Sequence, residues 1–336
     1  MKDAGLVRLE HGSGGALSRE LVESLIHPLF RGTAYPELSD AGPIEPGSEI
    51  LLSTDGYVVD PPFFPGGDIG RLSILGTCND LAVCGARPLC ISLALVVEEG
   101  FRIAELRGIL ESAAQAARET GARIVTGDTK VVPRGKGGGV FVTTTGVGRR
   151  EFAGSLSPSL LREGDSILVS GPVGAHGLAV LAARESLPVG GTLRSDAAFL
   201  FPLVRRLFPL GESLRFMRDA TRGGVAAVLN ETVRGGFVGL EVEEELFPLA
   251  EDVRTVSDLL GLNPLEVANE GVFVAVVAGE TEGEALAALR GHPLGKEARS
   301  VGRVTRSRPG TVILRTRIGG RRILDMPRGL LLPRIC

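Results

Sequence analysis

Tryptophan is absent from this chain of 336 residues, and tyrosine occurs only twice. With aromatics at 4% against 43% hydrophobic residues, the core must be built from Leu, Val and Ala. Lysine is nearly as scarce, 4 residues against 33 Arg, which makes each lysine worth inspecting. The net charge of −3 leaves no basic field to attract nucleic acid or an anionic membrane surface. No apolar run spans a bilayer: the longest lies around "PLCISLALVV". The start, "MKDAGLVRLEHGSGG", lacks the apolar stretch of a secretory leader, so a cytoplasmic protein is expected. Of 4 cysteines, Cys78, Cys84 and Cys90 stand six apart in apolar context with no His nearby. That spacing matches no zinc motif, and buried, reduced thiols are expected. The last, Cys336, ends the chain.

Two common nucleotide loops are also missing. No G-x-x-x-x-G-K-[ST] occurs, since Lys136 and Lys296 follow glycine without the rest of the motif. In "SGPVGAHGLAVLAAR" the glycines Gly171, Gly174 and Gly177 are three apart, which is not G-x-G-x-x-G. Any ATP site must therefore be of a non-Walker type.

What is present reads as two α/β stretches. The β-branched segments "EILLSTDGYVVD", "RPLCISLALVVEEG" and "GGGVFVTTTGVGRR" are expected strands of the first. Between them, "IAELRGILESAAQAARETG" keeps Leu106, Leu110, Ala113 and Ala117 at helical spacing and stops at Gly121. "GRLSILGTCNDLAVCG" reads as a second helix. The turn-rich "EFAGSLSPSLLREGD" suits a linker. In the second stretch, "DSILVSGPVGAHG" gives a strand and a glycine turn, and "EGVFVAVVAG" a buried strand. "LAVLAARESL", "GGVAAVLNETVRGG" and "TEGEALAALRG" read as helices. The irregular alternation favours α+β with mixed sheets over a doubly wound parallel sheet. The expected division is 1–152, 153–324 and a tail of 325–336.

Acidic residues gather at the ends of these elements. Asp55 closes an apolar strand, Asp80 rides a helix beside Asn79, and Asp128 is expected just past a strand, two residues before Lys130. Asp219 is expected at the start of a helix, and Glu270 at the mouth of a very apolar strand. One Asp in such a place is more often a turn or cap residue. Four of them at element ends favour a site, and hard carboxylates beside glycine-rich backbone suit magnesium and phosphate. A carboxylate entering a buried region, such as Glu270, can serve as a base. The loop "HGSGG" runs into an amphipathic helix and offers a phosphate cradle in which His11 is available. His27, His176 and His292 are expected in turns or at the surface.

Taken together, "HGSGG", "STDGYVVDP", "GTCNDLAVCGARP", "TGDTKVV", "RDATRGG" and "NEG" resemble the HypE family, the carbamoyl dehydratases of [NiFe]-hydrogenase maturation. The terminal "PRIC" resembles that family's carboxy-terminal motif, so the likeness runs from residue 11 to 336. The internal motifs are shared more loosely with aminoimidazole ribonucleotide synthetase, selenophosphate synthetase and thiamine-monophosphate kinase. The resemblance implies a two-domain aminoimidazole ribonucleotide synthetase-like α+β fold, a homodimer paired through its N-terminal sheets, and ATP with Mg2+ in a cleft near that interface.

The resemblance also implies roles. A partner carbamoyltransferase would load Cys336, ATP would drive dehydration of the resulting thiocarboxamide to a thiocyanate, and an Fe-carrying complex of maturation proteins would accept the CN ligand. Asp55, Asp80 and Asp219 would hold the metal. His11, Gly12, Gly14, Gly15, Asp55, Asn79, Asp128 and Thr221 would contact the nucleotide, and Lys130 and Glu270 would move protons, either being the base. The span from Asp325 to Cys336 reaches at most ~36 Å, enough for a tail to enter and leave a cleft. Pro327, Gly329 and Pro333 oppose a long helix in it. Two other readings compete: another ATP-using member of the superfamily, or a nucleotide-binding scaffold without catalysis.

Overall fold

A computed structural model describes residues 6–12, 15–30, 39–187 and 192–327. Two sheets organise them. The N-terminal part opens with the short helix α1 (Ala16–Leu21) and the single turn α2 (His27–Leu29). Strands β1 (Gly42–Pro43) and β2 (Ile50–Tyr57), the small hairpin β3 (Phe63–Phe64) and β4 (Gly67–Asp68), and helix α3 (Ile69–Val83) follow. Then come β5 (Ala86–Glu98), α4 (Ile103–Thr120), β6 (Arg123–Val132) and β7 (Val140–Arg150). The sheet order is β1-β2-β7-β5-β6, and only the β5–β6 pair is parallel. α4 supplies the crossover that a parallel pair requires.

Helix α3 is the centre of this part. Asp68 caps it, accepting from Gly70 N at 2.8 Å and Arg71 N at 3.0 Å. Its sequence is apolar on every side, and nearly every residue is buried, as such a helix must be. α4 covers it on one side with Ile109, Ala113, Ala116 and Ala117. The expected stripe included Leu110, which is instead 38% exposed. The buried line runs through Ile109 because the face that meets α3 is centred one residue earlier.

The C-terminal part contains β8 (Ser166–Val169), α5 (Ala175–Arg184), α6 (Phe201–Val204), β9 (Leu214–Asp219), α7 (Gly224–Val233) and β10 (Gly239–Glu243). It continues with α8 (Glu251–Leu260), β11 (Phe273–Val277), α9 (Glu282–Arg290), β12 (Arg299–Thr305), β13 (Val312–Arg315) and β14 (Arg321–Ile323). Its sheet runs β14-β13-β10-β12-β8-β11-β9, with β10–β13 the one parallel pair. Mixed sheets in both parts bear out the α+β expectation. Strand β11 is buried on both faces: Val274 and Val276 enter one core, Phe273, Ala275 and Val277 the other. Ala82 and Val83, at the end of α3, belong to that second core. The N-terminal helix is thus locked against the C-terminal sheet, and this contact positions the site. No described helix is long and apolar enough to cross a membrane.

Several local expectations are corrected. Asp219 ends strand β9 rather than opening a helix, because its backbone pairs with Phe273 on β11. Asp128 lies inside β6, not past it, since that strand continues to Val132 beside β5. His176 sits in α5, fully buried, its ring edge-on to Phe64 at 5.3 Å and its Nδ1 2.7 Å from Ser195 Oγ. Burial lowers its pKa to about 3, so it is neutral. Cys78 is buried as expected, but Cys84 and Cys90 are only partly covered. Burial raises the Cys78 thiol to about 12 and raises Cys84 as well, so both stay protonated and unreactive. Residues 328–336, and with them Cys336, lie outside the described residues.

Candidate active site

Both parts of the chain contribute to one cavity of about 220 Å³. β2 sends Asp55 and Tyr57 into it, and α3 sends Gly76 and Asp80, one helical turn apart on the same face. From the C-terminal sheet come Asp219 at the end of β9, Thr221 and Arg222 in the following turn, and Glu270 just before β11. Asp40 and Ser39, on the approach to β1, and Thr54 of β2 complete the wall.

Short-range chemistry fixes each group. Ser53 Oγ donates to Asp80 Oδ2 at 2.6 Å, orienting that carboxylate from the neighbouring strand. Tyr57 donates its hydroxyl to Asp55 Oδ2 at 3.2 Å and lies 3.3 Å from Thr77 Oγ1. That hydroxyl fits against α3 only because residue 76 is glycine: a Cβ there would stand 2.4 Å from it. Ala220 N bonds to Val272 O at 2.9 Å, and Asn269 bonds to Ala220 O through both its backbone N (3.0 Å) and its Nδ2 (2.8 Å). These bonds bring the Asp219 and Glu270 segments side by side.

The electrostatics are dominated by crowded acid. Burial raises the pKa of Asp80 well above the usual carboxylate range, and Asp55, Asp219 and Asp40 raise it further. Asp219 is raised by burial, Asp40 and Asp55, with Arg218 and Arg222 opposing. Glu270, almost wholly buried, is raised by burial first and then by Asp219, Asp196 and Asp55. For Asp40, burial outweighs an ion pair with Arg218, whose Nε lies 3.0 Å from Oδ2. Arg218 also bridges to Glu231 and is itself raised, the signature of a cation held among anions.

Of the residues expected at the site, Asp55, Asp80, Asp219, Thr221 and Glu270 meet in this cavity. Others do not. Asn79 faces away: its amide donates to Ala198 O at 2.9 Å and Glu270 O at 3.2 Å and accepts from Leu200 N at 2.9 Å. Both hydrogens and the oxygen of its amide are used on backbone. Asp128 and Lys130 sit on exposed β6 and pair with each other at 2.7 Å. The lysine and Thr129 N hold the Asp128 carboxyl below its ordinary pKa. His11 and Gly12 form a 3-10 turn in which Arg8 N donates to His11 Nδ1 at 2.8 Å, Gly15 caps α1, and Gly14 lies outside the described residues. Asp40 and Arg222 were not foreseen. Arg222 was legible inside "DATRGG", whereas nothing near Asp40 marks its pairing with Arg218, 178 positions away.

Can these residues hold magnesium? Among the described residues no three His, Cys, Asp or Glu side chains form a ready metal cage. The expected three-carboxylate centre is therefore not preformed. The donor set still fits Mg2+, which binds through one or two carboxylates and completes its shell with water and substrate phosphates. Asp55, Asp80 and Asp219 are hard oxygen donors whose crowded charge a divalent cation would relieve.

Comparison with known proteins establishes the family and the fold. Residues 38–150 match the AIR synthase related protein, N-terminal domain, and residues 162–315 match the C-terminal domain of the same family. A carbamoyl dehydratase HypE from Cupriavidus necator is 45% identical over 335 residues, covering 99% of this chain and 95% of that protein. The HypE of a HypE-HypF complex superposes with a TM-score of 0.86 at 39% identity, covering 91% of this chain and 99% of that one. A HypE structure in complex with ATP gives 0.82 at 40% identity, covering 98% and 100%.

Proposed function

The chain belongs to the AIR synthase related proteins and within them to the HypE carbamoyl dehydratases, and on that premise we propose that it uses ATP to dehydrate a carbamoyl group carried on the thiol of Cys336. The observation that carries this reading is the convergence of Asp55, Asp80, Asp219 and Glu270, from both sheets, on one small cavity.

An amide oxygen is a poor leaving group, and transfer of the γ-phosphoryl group to it makes it a good one. The carbamoyl oxygen attacks the γ-phosphorus, ADP leaves, and one N–H proton is lost. Loss of the second N–H proton and of inorganic phosphate leaves a C≡N on sulfur. Mg2+, held by Asp55, Asp80 and Asp219, would neutralise charge on the phosphates when bound. Thr221 and the His11–Gly15 loop are assigned to the nucleotide. Glu270 is suited to take protons because it is a carboxyl almost wholly buried at this cavity, where burial and the neighbouring acids Asp219, Asp196 and Asp55 favour its protonated form. Lys130 remains its rival for that role.

Three further parts belong to this reading. The tail leaves the described structure at Pro327, whose carbonyl accepts from Ala16 N at 3.1 Å, directly after the glycine-rich loop. Its origin beside that loop supports a tail that visits the nucleotide. Among the described residues strand β6 is paired on one side only, and Ile124, Val125 and Val131 are 42%, 56% and 69% exposed. That edge supports a homodimer in which a second copy covers β6 and brings Asp128 and Lys130 into the interface cleft. A cytoplasmic carbamoyltransferase, for which the HypF seen with a relative stands as the model, loads the thiol, and an Fe-carrying maturation complex accepts the CN.

The test follows mass. Intact protein incubated with carbamoyltransferase, carbamoyl phosphate and ATP should gain one carbamoyl group on Cys336 and then lose one water. A carbamoyl adduct that persists in the presence of ATP refutes the dehydration. Removal of Cys336 should abolish both changes, and retention of full turnover would point to another ATP-using activity of the superfamily.

A further inference from the structure

Residues 195–200 form a strap that is fastened to both parts of the molecule. On the N-terminal side, Ser195 N donates to Pro65 O at 2.8 Å, and a Cβ on Gly66 would lie 2.8 Å from the same nitrogen. Asn79 of α3 donates to Ala198 O and accepts from Leu200 N. On the C-terminal side, Asp196 Oδ1 accepts from Glu270 N and Oδ2 from Gly271 N, both at 3.2 Å. Glu270 O in turn accepts from Asn79 Nδ2 and from Ala198 N at 3.4 Å. The backbone of Glu270 is therefore gripped at its nitrogen by Asp196 and at its oxygen by Asn79.

The grip is close as well as polar. A Cβ on Gly271 would stand 2.0 Å from Asp196 O, so the two backbones are in contact and only glycine permits it. Burial raises the Asp196 carboxyl to about 6 against the N–H donors that lower it, which leaves it an anion at neutral pH. Hydrogen bonds to an ionised acceptor are roughly twice as strong as neutral ones. No such restraint is needed merely to keep β11 in its sheet, since Phe273–Val277 already pair with strands on both sides.

We propose that Asp196 is a positioning residue: with Asn79 opposite, it fixes the backbone of Glu270 and so the point from which that side chain meets the N–H of the carbamoyl substrate. The proposal rests on the reading of Glu270 as the group that moves those protons. It assigns a role to a segment, "RSDAAFL", whose sequence carries no motif of its own.

Asp196→Asn is nearly isosteric, but it turns an amino group toward one of the two N–H donors. Protein carbamoylated at Cys336 is mixed with ATP, and loss of water is timed by intact mass in a single turnover. Expected is a fall of about 10- to 100-fold in the rate constant, the scale of a small misplacement of a reacting group. The ATP concentration for half-maximal rate and the extent of Cys336 loading stay unchanged. Because Asp196 acts only through Glu270, the double variant Asp196→Asn with Glu270→Gln should be no slower than Glu270→Gln alone. Should Asp196→Asn not fold, Asp196→Ser, which removes the charge and leaves at most one acceptor for the two N–H donors, is put through the same series. A slow Glu270→Gln with an Asp196→Asn at the parent rate, or with additive losses, overturns this inference alone. A Glu270→Gln that dehydrates at the parent rate removes the role of Glu270 and the inference with it.

Discussion

Replacing Asp80 by Asn should stabilise the protein while disabling it. Asp80 sits half-buried among Asp55, Asp219 and Asp40, with one hydroxyl donor, Ser53, on its Oδ2. Its pKa is raised in the folded protein, the reverse of a salt-bridged carboxylate. The folded state therefore binds more protons than the unfolded state between the ordinary carboxylate pKa and the raised one. Stability must fall as pH climbs through that window and is lowest above it. Asn keeps an oxygen for Ser53 and cannot ionise, so above that window the metal-free variant should be more stable than wild type by about 1–2 kcal/mol, within the range common for a single stabilising substitution. For a chain this long that is roughly 1–3 °C in the melting midpoint. Dehydration of the loaded Cys336 should meanwhile slow by about 10²–10³-fold, as when a group that stabilises developing charge is removed. The assay is thermal unfolding from pH 5 to 8 with and without magnesium and ATP, alongside the single-turnover mass measurement. Wild type should lose stability with rising pH and regain it with magnesium and ATP, and the variant should respond less to either. A variant less stable than wild type at pH 7 without magnesium would refute the reasoning, because it would mean the Asp80 charge is paired.

Two other outcomes follow from local geometry. Gly76→Ala places a methyl group 2.4 Å from the Tyr57 hydroxyl, which must move off Asp55. We expect about 1–3 kcal/mol of destabilisation and a weaker response of the melting midpoint to ATP with magnesium; an unchanged response would show that Tyr57 does not organise Asp55. Val125→Arg adds charge to the exposed edge strand β6 and should convert a dimer to monomers in light scattering, with the melting midpoint of the monomer little changed; a persistent dimer would place the interface elsewhere.

How far the site could be read along the chain depended on the range of the interaction. Asp55, Asp80, Asp219 and Glu270 each stand at the end of an apolar element or on a buried helix, and that local pattern marks a side chain that must face a cavity or be paired. Lys130 looked like a member of the site because it lies two residues from Asp128. In a strand that spacing puts both side chains on one face, and on β6 they pair with each other at the sheet edge. Asn79 adjoins Asp80, but successive helical residues point about 100° apart, so one reaches the cavity and the other the strap. His176 was expected in a turn or at the surface, since it follows the glycine turn read in "DSILVSGPVGAHG". Packing of α5 against Phe64 and Ser195 overrode that expectation.

The linear sequence by itself determined the α+β character, the two-part division, the absence of a Walker-type loop and the acidic residues worth watching. Those properties follow from periodicity, turn chemistry and residue type, which act over a few positions. Only the tertiary structure decided that Asp40 joins the acidic cluster through Arg218, that Asn79 and Asp196 grip Glu270 from opposite sides, and that Asp128 and Lys130 stand apart from the cavity. Each of those depends on groups brought together by the docking of α3 against the C-terminal sheet. Contacts made by chain segments far apart in sequence leave no periodic trace along it.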